Sequence, residues 1–347
     1  MARIAVVTSA PPLVEGGHLV IARSLVGALQ EAGHESGLVL TPQNRFGRQG
    51  AAYLANWLTD IGMTGDGRTV DQVISLRYPS YAVRHEKHVC WLNHRMREYY
   101  DLWDELRDTL SPRGRIKEGL RRRLIHAADR YLLTRNVTRL FAQSGHIQTR
   151  LQRWGGIPAE VLYPPPPPRP YRHERYGDYI FAVSRLTPLK RLSLLVEALA
   201  RPEAAGIRCL IAGEGEQQAA LQHAIETRGL SDRVHLLGRI DQEQLLEHLA
   251  RCRAVCFPPY HEDYGFVTVE AFASRKAVVT CTDSGGPAEL VVDGLNGRVC
   301  APTPEPLALA LRALMDSPAE ARRLGEAGYT LAESLTWEKT LGRLLLV

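Results

Sequence analysis

Five consecutive prolines, Pro164 to Pro168, constrain the fold of this chain more than any other feature. Proline fixes φ and lacks a backbone N–H group, so the run fits neither a helix interior nor a central strand. Apolar, strand-like segments lie close on either side, which favours a stiff connector over a disordered loop. Because the 347 residues exceed what one hydrophobic core usually supports, the connector predicts two domains.

Strand-like and helix-like segments alternate on both sides of the prolines. In the first half, the β-branched run Ile4 to Thr8 is followed by Gly16, Gly17 and an amphipathic helical pattern, and this order is typical of a Rossmann-type domain. The alternation restarts at Tyr179 with five further strand–helix units. Repeated alternation of this kind predicts a parallel sheet in each half.

These patterns predict an α/β protein with two facing Rossmann-like domains and parallel sheets. Residues 1–163 are expected to form the first domain, 164–176 a proline-rich linker and 177–330 the second domain. Residues 331–347 are expected to form a C-terminal helix that can pack back toward the first domain.

The composition excludes several classes of protein. Hydrophobic residues make up 45% of the chain and charged residues 23%, as in soluble enzymes and unlike disordered or fibrous proteins. The formal net charge of +5 is too small to predict a nucleic-acid partner, yet it suits an anionic ligand. No run of about 18 apolar residues occurs, so we expect no spanning helix and a cytoplasmic protein.

The cysteines do not follow a metal-binding pattern. No second cysteine pair and no histidine doublet with zinc spacing accompanies Cys252 and Cys256, so we predict no metal site there. Most of the cysteines lie in apolar, strand-like runs, which favours buried free thiols. The full set is Cys90, Cys209, Cys252, Cys256, Cys281 and Cys300.

Two glutamates, Glu262 and Glu270, form the most specific candidate site, in the segment HEDYGFVTVEAFASRKAV. If a helix begins near Phe266, Glu262 lies in the loop above its N-terminus and Glu270 about one turn inside it. The N–H groups of Gly265, Phe266 and Val267, together with the helix dipole, would then bind phosphate. The two carboxylates would accept hydrogen bonds from a sugar and a ribose. The alternative is two solvated glutamates around an ordinary helix cap.

Two cations, Arg185 and Lys190, stand in SRLTPLKR, directly after the predicted strand that begins at Tyr179. Ligands bind beyond the carboxyl ends of the strands in open α/β sheets, so both cations are placed to neutralise a diphosphate. No Asp-x-Asp sequence occurs in the chain, and we expect these cations to act where other enzymes use a metal ion. The alternative is a basic loop in solvent.

A glycine-rich turn, IAGEGE, follows the predicted strand at Cys209. It begins like a dinucleotide-binding fingerprint, but Gln218 stands where the third glycine belongs, which weakens a dehydrogenase interpretation. We interpret Gly213 and Gly215 as a tight strand-to-helix turn near the ligand.

Between Tyr179 and about Cys300, the sequence resembles the retaining glycosyltransferases of the GT-B architecture, glycosyltransferase family 4. The resemblance rests on SRLTPLK, VHLLGRI, EDYGFVTVE and SGGPAELVVDGLNG, which are specific as a set. It implies that the second domain binds a nucleotide-sugar donor. Arg185 and Lys190 would bind its diphosphate, and Glu262 would contact the transferred sugar.

The same resemblance implies that Glu270 binds the ribose and that the backbone at Ile240, after Gly238, contacts the nucleobase. Ser184 and Arg191 stand where the family commonly has glycines. This departure can alter the shape of the loop without removing its cations.

The first half resembles the family through PPLVEGGHLVIARSLVGAL and CWLNHRMREYYDLW. The resemblance implies that the first domain holds the acceptor and that the turn at Gly16 and Gly17 approaches the donor phosphates. It also implies that His94 lies near the transferred sugar. A purely structural role for His94 is the alternative.

The activity that the resemblance implies is a retaining, metal-independent transfer of a hexosyl group from a nucleoside-diphosphate sugar, such as a UDP- or GDP-sugar, to an acceptor hydroxyl. The acceptor would be a glycan, a glycolipid or a small metabolite, and no cofactor is expected. Two alternatives stay open. A sugar-nucleotide epimerase of the same architecture would react with the donor alone, and a non-catalytic sensor would bind a sugar nucleotide without forming product.

A basic segment, residues 114–133, combines cations with apolar residues at helical spacing. One interpretation is a helix that lies on a membrane surface. We favour a solvated helix whose apolar face packs on the first domain. The cations are Arg115, Lys117, Arg121, Arg122 and Arg123, and the apolar residues are Ile116, Leu120, Leu124 and Ile125.

Overall fold

The computed structural model describes residues 1–11, 16–43 and 46–346. Contacts between Cα atoms divide the chain into two compact units, of which the first contains Met1–Pro164 and Trp337–Val347 and the second Pro165–Thr336. The division falls inside the proline run, which forms neither helix nor strand.

The first unit contains a parallel sheet. Its strands are β1 (Arg3–Ala10), β2 (Glu35–Pro42), β3 (Gln72–Ser75), β4 (His88–Leu92), β5 (Arg139–Ala142) and β6 (Glu160–Val161). Within the described residues they pair in the order β2-β1-β3-β4-β5-β6. β3 and β4 are buried along their whole length, as parallel strands are when helices cover both faces of a sheet.

The helices of this part of the chain differ in how much apolar surface they bury. They are α1 (Gly17–Glu31), α2 (Gln49–Leu58), α3 (Trp103–Asp108), α4 (Pro112–Tyr131) and α5 (Gly145–Arg153). α1 buries an apolar side that includes Leu19, Leu25 and Leu29, as the spacing of these residues predicts. α4 buries Ile125 as its one large apolar side chain within the described residues.

The prediction that the apolar face of α4 packs on the first domain is therefore wrong for most of that face. Ile125 is 3% exposed, whereas Ile116, Leu120 and Leu124 are 77%, 60% and 64% exposed. Residues four apart lie on one side of a helix. These three therefore form an apolar stripe that faces solvent.

The second unit contains a second parallel sheet. Its strands are β7 (Tyr179–Val183), β8 (Arg208–Ala212), β9 (Val234–Gly238), β10 (Ala254–Cys256), β11 (Val278–Cys281) and β12 (Gly297–Cys300). Within the described residues they pair in the order β12-β11-β10-β7-β8-β9. The helices are α6 (Leu192–Leu199), α7 (Gln218–Thr227), α8 (Gln242–Arg251), α9 (Phe266–Ala273), α10 (Gly286–Leu290), α11 (Pro304–Asp316) and α12 (Pro318–Ser334).

The last helix, α13 (Trp337–Leu344), belongs to the first unit. Gln72 of β3 donates a hydrogen bond to the carbonyl of Leu344 at 2.7 Å, and Trp337 packs edge-on against Trp91 of β4, with 6.2 Å between ring centroids. These contacts hold the end of the chain against the first sheet.

The predicted fold class is confirmed. Both units are α/β, and each is built on a parallel sheet with α-helices in most of the connections between successive strands. The cysteines are free, as predicted, and five of them are buried. Burial raises the pKa of Cys90 and of Cys252 to about 12. Within the described residues no group of three His, Cys, Asp or Glu side chains is placed to hold a metal ion, and no helix is long and apolar enough to cross a bilayer.

Candidate functional site

The second sheet has a switch point between β7 and β10. The chain leaves β7 toward β8 and β9, then returns to place β10 on the other side of β7. A crevice forms at such a point beyond the carboxyl ends of the strands, and ligands of open α/β sheets bind there. Arg185 and Lys190 follow β7, while Glu262, Gly265 and Glu270 follow β10. The topology thus brings the two candidate motifs to adjacent strand ends.

Lys190 and Glu262 form an ion pair at this switch point. The Lys190 Nζ donates to Glu262 Oε2 at 2.5 Å, and the two side chains are 14% and 21% exposed. The backbone of Glu262 is fixed as well, because its N–H donates to Ser284 and its carbonyl accepts from Gly286, both at 2.9 Å. The pair is therefore partly desolvated and held in place, which strengthens its interaction with any further charged group.

Arg191 ties together three loops around the pair, a role that the sequence did not predict. Its guanidinium makes a double hydrogen bond to Asp283 at 2.6 and 2.7 Å and also donates to the carbonyls of Pro258 and Pro259. Its φ is 49°, in the left-handed region that favours glycine. This conformation accounts for the glycine that is common at this position in the resembling family, and in this chain Arg191 adopts it instead.

α9 begins at a tightly packed glycine. Gly265 has a φ of +82°, and a Cβ at this position would lie 2.8 Å from Pro287 and 2.9 Å from Phe257. The first N–H groups of a helix lack intrahelical partners and carry its positive dipole end. Phe266 and Val267, the first two residues of α9, are partly exposed. The structure thus places the predicted phosphate-binding amides between Glu262 and Glu270.

Glu270 is buried one turn inside α9, as its spacing predicted, but it already has a partner. Arg169 forms an ion pair with Glu270 Oε1, and the Tyr171 hydroxyl donates to the same oxygen at 3.3 Å. Burial raises the pKa of Glu270, and Arg169 lowers it by a smaller amount. Sequence reasoning missed Arg169 because nothing in a residue beside the proline run indicates a contact 101 positions away.

Replacing Arg169 with alanine is expected to destabilise the second unit in a pH-dependent way. The buried carboxylate would lose its countercharge, so its pKa would rise further above 4.5, the ordinary value. A raised carboxyl pKa in the folded state makes stability fall as pH rises from about 4.5 through that pKa. We expect a loss of about 2–4 kcal/mol at pH 8 and a clearly smaller loss at pH 5, measured by urea unfolding.

Arg172→Ala is the matched control for this experiment. Arg172 is exposed and pairs with Glu174, so its loss should cost less than about 1 kcal/mol at either pH. Equal losses for Arg169→Ala at pH 5 and pH 8 would show that Arg169 does not neutralise Glu270.

The glycine-rich turn after β8 supports the loop that carries Arg185. The Leu186 N–H donates to the Glu214 carbonyl at 2.9 Å, and the Gly213 N–H donates to the Gly238 carbonyl at 2.8 Å. A Cβ on Gly213, whose φ is +130°, would lie 1.8 Å from the Ser184 carbonyl oxygen. The turn therefore packs directly on the loop after β7, where Arg185 is exposed.

Gly238 and Ile240 lie at the carboxyl end of β9, which β8 separates from β7. Gly238 has a φ of 68° and ends a strand whose register shifts against β8. The structure places both residues at the same edge of the sheet as Arg185, though not beside Lys190. Their predicted contact with a nucleobase stays a prediction.

The first unit holds the remaining predicted residues. Gly16 caps α1 and Gly17 is its first residue, beyond the carboxyl end of β1, while Pro12 to Glu15 lie outside the described residues. His94 follows β4, and its Nδ1 lies 2.7 Å from the Arg95 carbonyl. Because a carbonyl only accepts, Nδ1 carries the proton in that contact. His94 also borders a cavity, lined in part by Arg97 and Asp101.

Comparison with known proteins gives a match to a family model for most of the second unit. Residues 170–331 match the family model described as glycosyl transferases group 1. An uncharacterized glycosyltransferase of Methanocaldococcus jannaschii is 25% identical over 218 residues, which cover 59% of this chain and 58% of that protein. The chain therefore aligns with less than two thirds of this relative's length.

Solved structures resemble the chain over almost its whole length. Sucrose-phosphate synthase from Thermosynechococcus elongatus matches with a TM-score of 0.77 at 17% identity, over 99% of this chain and 97% of that one. HepE of Anabaena, solved with UDP and glucose, matches with a TM-score of 0.70 at 16% identity, over 98% of each chain. At such low identity these likenesses show the fold alone, which is the GT-B fold of glycosyltransferases.

Proposed function

We propose that the protein is a retaining, metal-independent glycosyltransferase that moves a hexosyl group from a nucleoside-diphosphate sugar to an acceptor hydroxyl. The observation that carries the proposal is the Lys190–Glu262 pair at the switch point of the second sheet. At this point a cation lies beside a carboxylate that can accept hydrogen bonds from sugar hydroxyls, and both are close in sequence or contact to the N-terminus of α9. The family match of residues 170–331 supports this activity.

Lys190 and Arg185 are the groups that would bind the donor diphosphate. Lys190 is paired with Glu262 alone among the carboxylates of the described residues, and a bound diphosphate would become a second anionic partner. Glu262 could then accept a hydrogen bond from a sugar hydroxyl. As the glycosidic bond breaks, negative charge grows on the departing diphosphate, and fixed cations stabilise this charge. In this proposal the cations, rather than a metal ion, carry that role.

The other candidate residues would hold the rest of the donor. The amides of Gly265, Phe266 and Val267 would bind phosphate oxygens at the start of α9. Glu270 would accept hydrogen bonds from the ribose, while Arg169 continues to balance its charge. The backbone of Ile240 would contact the base. For the first unit we propose an acceptor-binding role, with Gly16, Gly17 and His94 as further contacts to the donor.

The comparisons support a uridine nucleotide as the first donor class to test. HepE was solved in complex with UDP-glucose, and its fold resembles this chain. The acceptor is proposed to be a glycan, a lipid or a small molecule. A cytoplasmic location and the lack of any cofactor stay predictions.

When UDP-, GDP-, ADP- and TDP-sugars are tested one by one, we expect the sugar nucleotides of one base to raise the melting temperature of the protein. A ligand at 100 times its Kd adds about 2.7 kcal/mol of stability, which corresponds to about 5–10 °C for a unit of this size. With an acceptor panel and EDTA present, the same donor should be consumed, and the product should keep the anomeric configuration of the donor.

Other outcomes of this experiment separate the alternatives. Conversion of the donor in the absence of any acceptor would identify an epimerase. Stabilisation without product over a broad acceptor panel would identify a sensor. If no sugar nucleotide changed the melting temperature, the proposed donor site would be wrong.

A further inference from the structure

We propose that the first unit docks on the surface of an anionic lipid bilayer through a face formed by α4 and α2. We call it the α4 face, and it consists of Ile116, Leu120, Leu124 and Tyr131 of α4 with Leu54 and Leu58 of α2. Each of these side chains is at least 57% exposed. Single exposed leucines are common, but a cluster of large apolar side chains marks an interaction surface.

The two helices present one continuous surface. Ile116, Leu120 and Leu124 follow each other at intervals of four residues, so they lie along one side of α4. Leu124 and Tyr131 of α4 line a groove of about 550 Å³ together with Leu54 of α2. The exposed residues of α2 therefore extend the apolar stripe of α4 instead of lying apart from it.

The charges of α4 separate by sign across the helix. Its two carboxylates, Glu118 and Asp129, are both buried. Glu118 accepts a hydrogen bond from the Tyr99 hydroxyl at 2.7 Å and pairs with Arg121. Asp129 accepts from three tyrosine hydroxyls, those of Tyr53, Tyr81 and Tyr100. The solvent side of α4 itself thus carries exposed cations and no exposed carboxylate.

The exposed cations flank the apolar stripe. They are Arg113, Arg115, Lys117, Arg123 and Arg130. A helix that combines a leucine stripe with such cations lies in the interfacial plane of a bilayer, where its apolar side enters the acyl region and its cations contact anionic headgroups. Each cation near an anionic surface strengthens the attraction.

Aromatic side chains in the groove fit the same environment. Trp57 and Tyr131 line the groove, and the Arg84 guanidinium lies 5.1 Å from the centroid of the Trp57 ring. Tryptophan and tyrosine are enriched where apolar and polar regions of a membrane meet, because their rings are amphipathic. The groove therefore has the residue types of a membrane interface.

Charge favours a bilayer over a second copy of this chain. Two copies that met through their α4 faces would bring two sets of exposed cations together, and like charges across an interface disfavour association. An anionic lipid surface supplies the missing negative charge and an apolar layer together. This docking does not depend on the proposed sugar transfer, since it uses no residue of the candidate donor site.

The test is co-sedimentation of the full chain with lipid vesicles. The leucine variant, Leu120→Ser with Leu124→Ser, removes apolar contact with the bilayer. The charge variant removes three exposed cations through the substitutions Arg115→Gln, Lys117→Gln and Arg123→Gln. Wild type should sediment with vesicles of 30% phosphatidylglycerol in phosphatidylcholine and much less with phosphatidylcholine alone, and 0.5 M salt should weaken binding. We expect the partition coefficient to fall on the order of 100-fold for the charge variant and about 10-fold or more for the leucine variant.

Matched controls lie on the second unit. Leu309→Ser removes an exposed leucine of α11, and Arg201→Gln with Arg208→Gln and Arg228→Gln removes three exposed cations. Both controls should bind the anionic vesicles like wild type. Equal weakening by the control variants, or no sedimentation of wild type with anionic vesicles, would overturn the proposal. So would a dimer in analytical ultracentrifugation that the leucine variant dissociates while vesicle binding is unaffected.

Discussion

Replacing Lys190 with alanine is expected to lower kcat/KM for sugar transfer by about 10²–10³-fold, and Glu262→Ala should have an effect of the same order. The two substitutions should nevertheless differ in their effect on the affinity for a free nucleoside diphosphate, because only Lys190→Ala should weaken it. Lys190→Ala removes a cation that we assign to the diphosphate, so the nucleotide should bind more weakly. Glu262→Ala removes a carboxylate that now pairs with Lys190, so the nucleotide should bind equally well or more tightly.

The measurement is isothermal titration of each variant with the nucleoside diphosphate, beside steady-state kinetics with the donor. Arg201→Ala removes a more exposed cation of the same unit and should leave both quantities unchanged. The double variant should lose little more activity than either single one, because residues that act together are not additive. Full activity in either single variant would contradict the assignment, as would weaker nucleotide binding in Glu262→Ala.

The architecture was predictable because local sequence determines it. Strand–helix alternation repeats on both sides of the proline run, and alternation of that kind permits few topologies. The start of α9 at Phe266 was predictable too, since a glycine, Gly265, stands directly before the helical pattern. The spacing of Glu262 and Glu270 then placed one carboxylate above the helix end and the other inside it.

The contacts that complete the candidate site were not predictable in the same way. Arg169 reaches Glu270 across 101 positions, and Arg191 joins Asp283 across 92. Such pairs depend on strand order, and a single sequence does not specify which strands become neighbours. The catalytic and binding roles of all these residues stay predictions.

α4 shows a different limit of sequence reasoning. Hydrophobic periodicity identifies which side of a helix is apolar, but it does not tell whether the protein itself covers that side. Here the carboxylates Glu118 and Asp129 face inward and the leucines face solvent. α4 is therefore attached to the first unit mainly by buried hydrogen bonds from tyrosine hydroxyls to these two carboxylates, and not by the apolar packing that was expected.

Gly213→Ala is expected to cost about 3 kcal/mol or more of the stability of the second unit. Two effects add at this position. The left-handed φ of +130° strains any residue with a side chain, and the new Cβ would meet the Ser184 carbonyl at 1.8 Å, so the backbone would have to move. Because Ser184 precedes Arg185, we also expect weaker binding of nucleoside diphosphates.

Gly229→Ala separates strain from collision. Gly229 has a φ of +64°, but a Cβ there has no neighbouring heavy atom within 4 Å, so only strain of about 1–2 kcal/mol should appear. Urea unfolding followed by far-UV circular dichroism measures both variants. All five tryptophans lie in the first unit, so their fluorescence reports separately on the unit without the substitution. An equal loss of unfolding free energy in Gly213→Ala and Gly229→Ala would contradict this explanation. It would mean that close packing against the Arg185 loop does not require glycine at position 213.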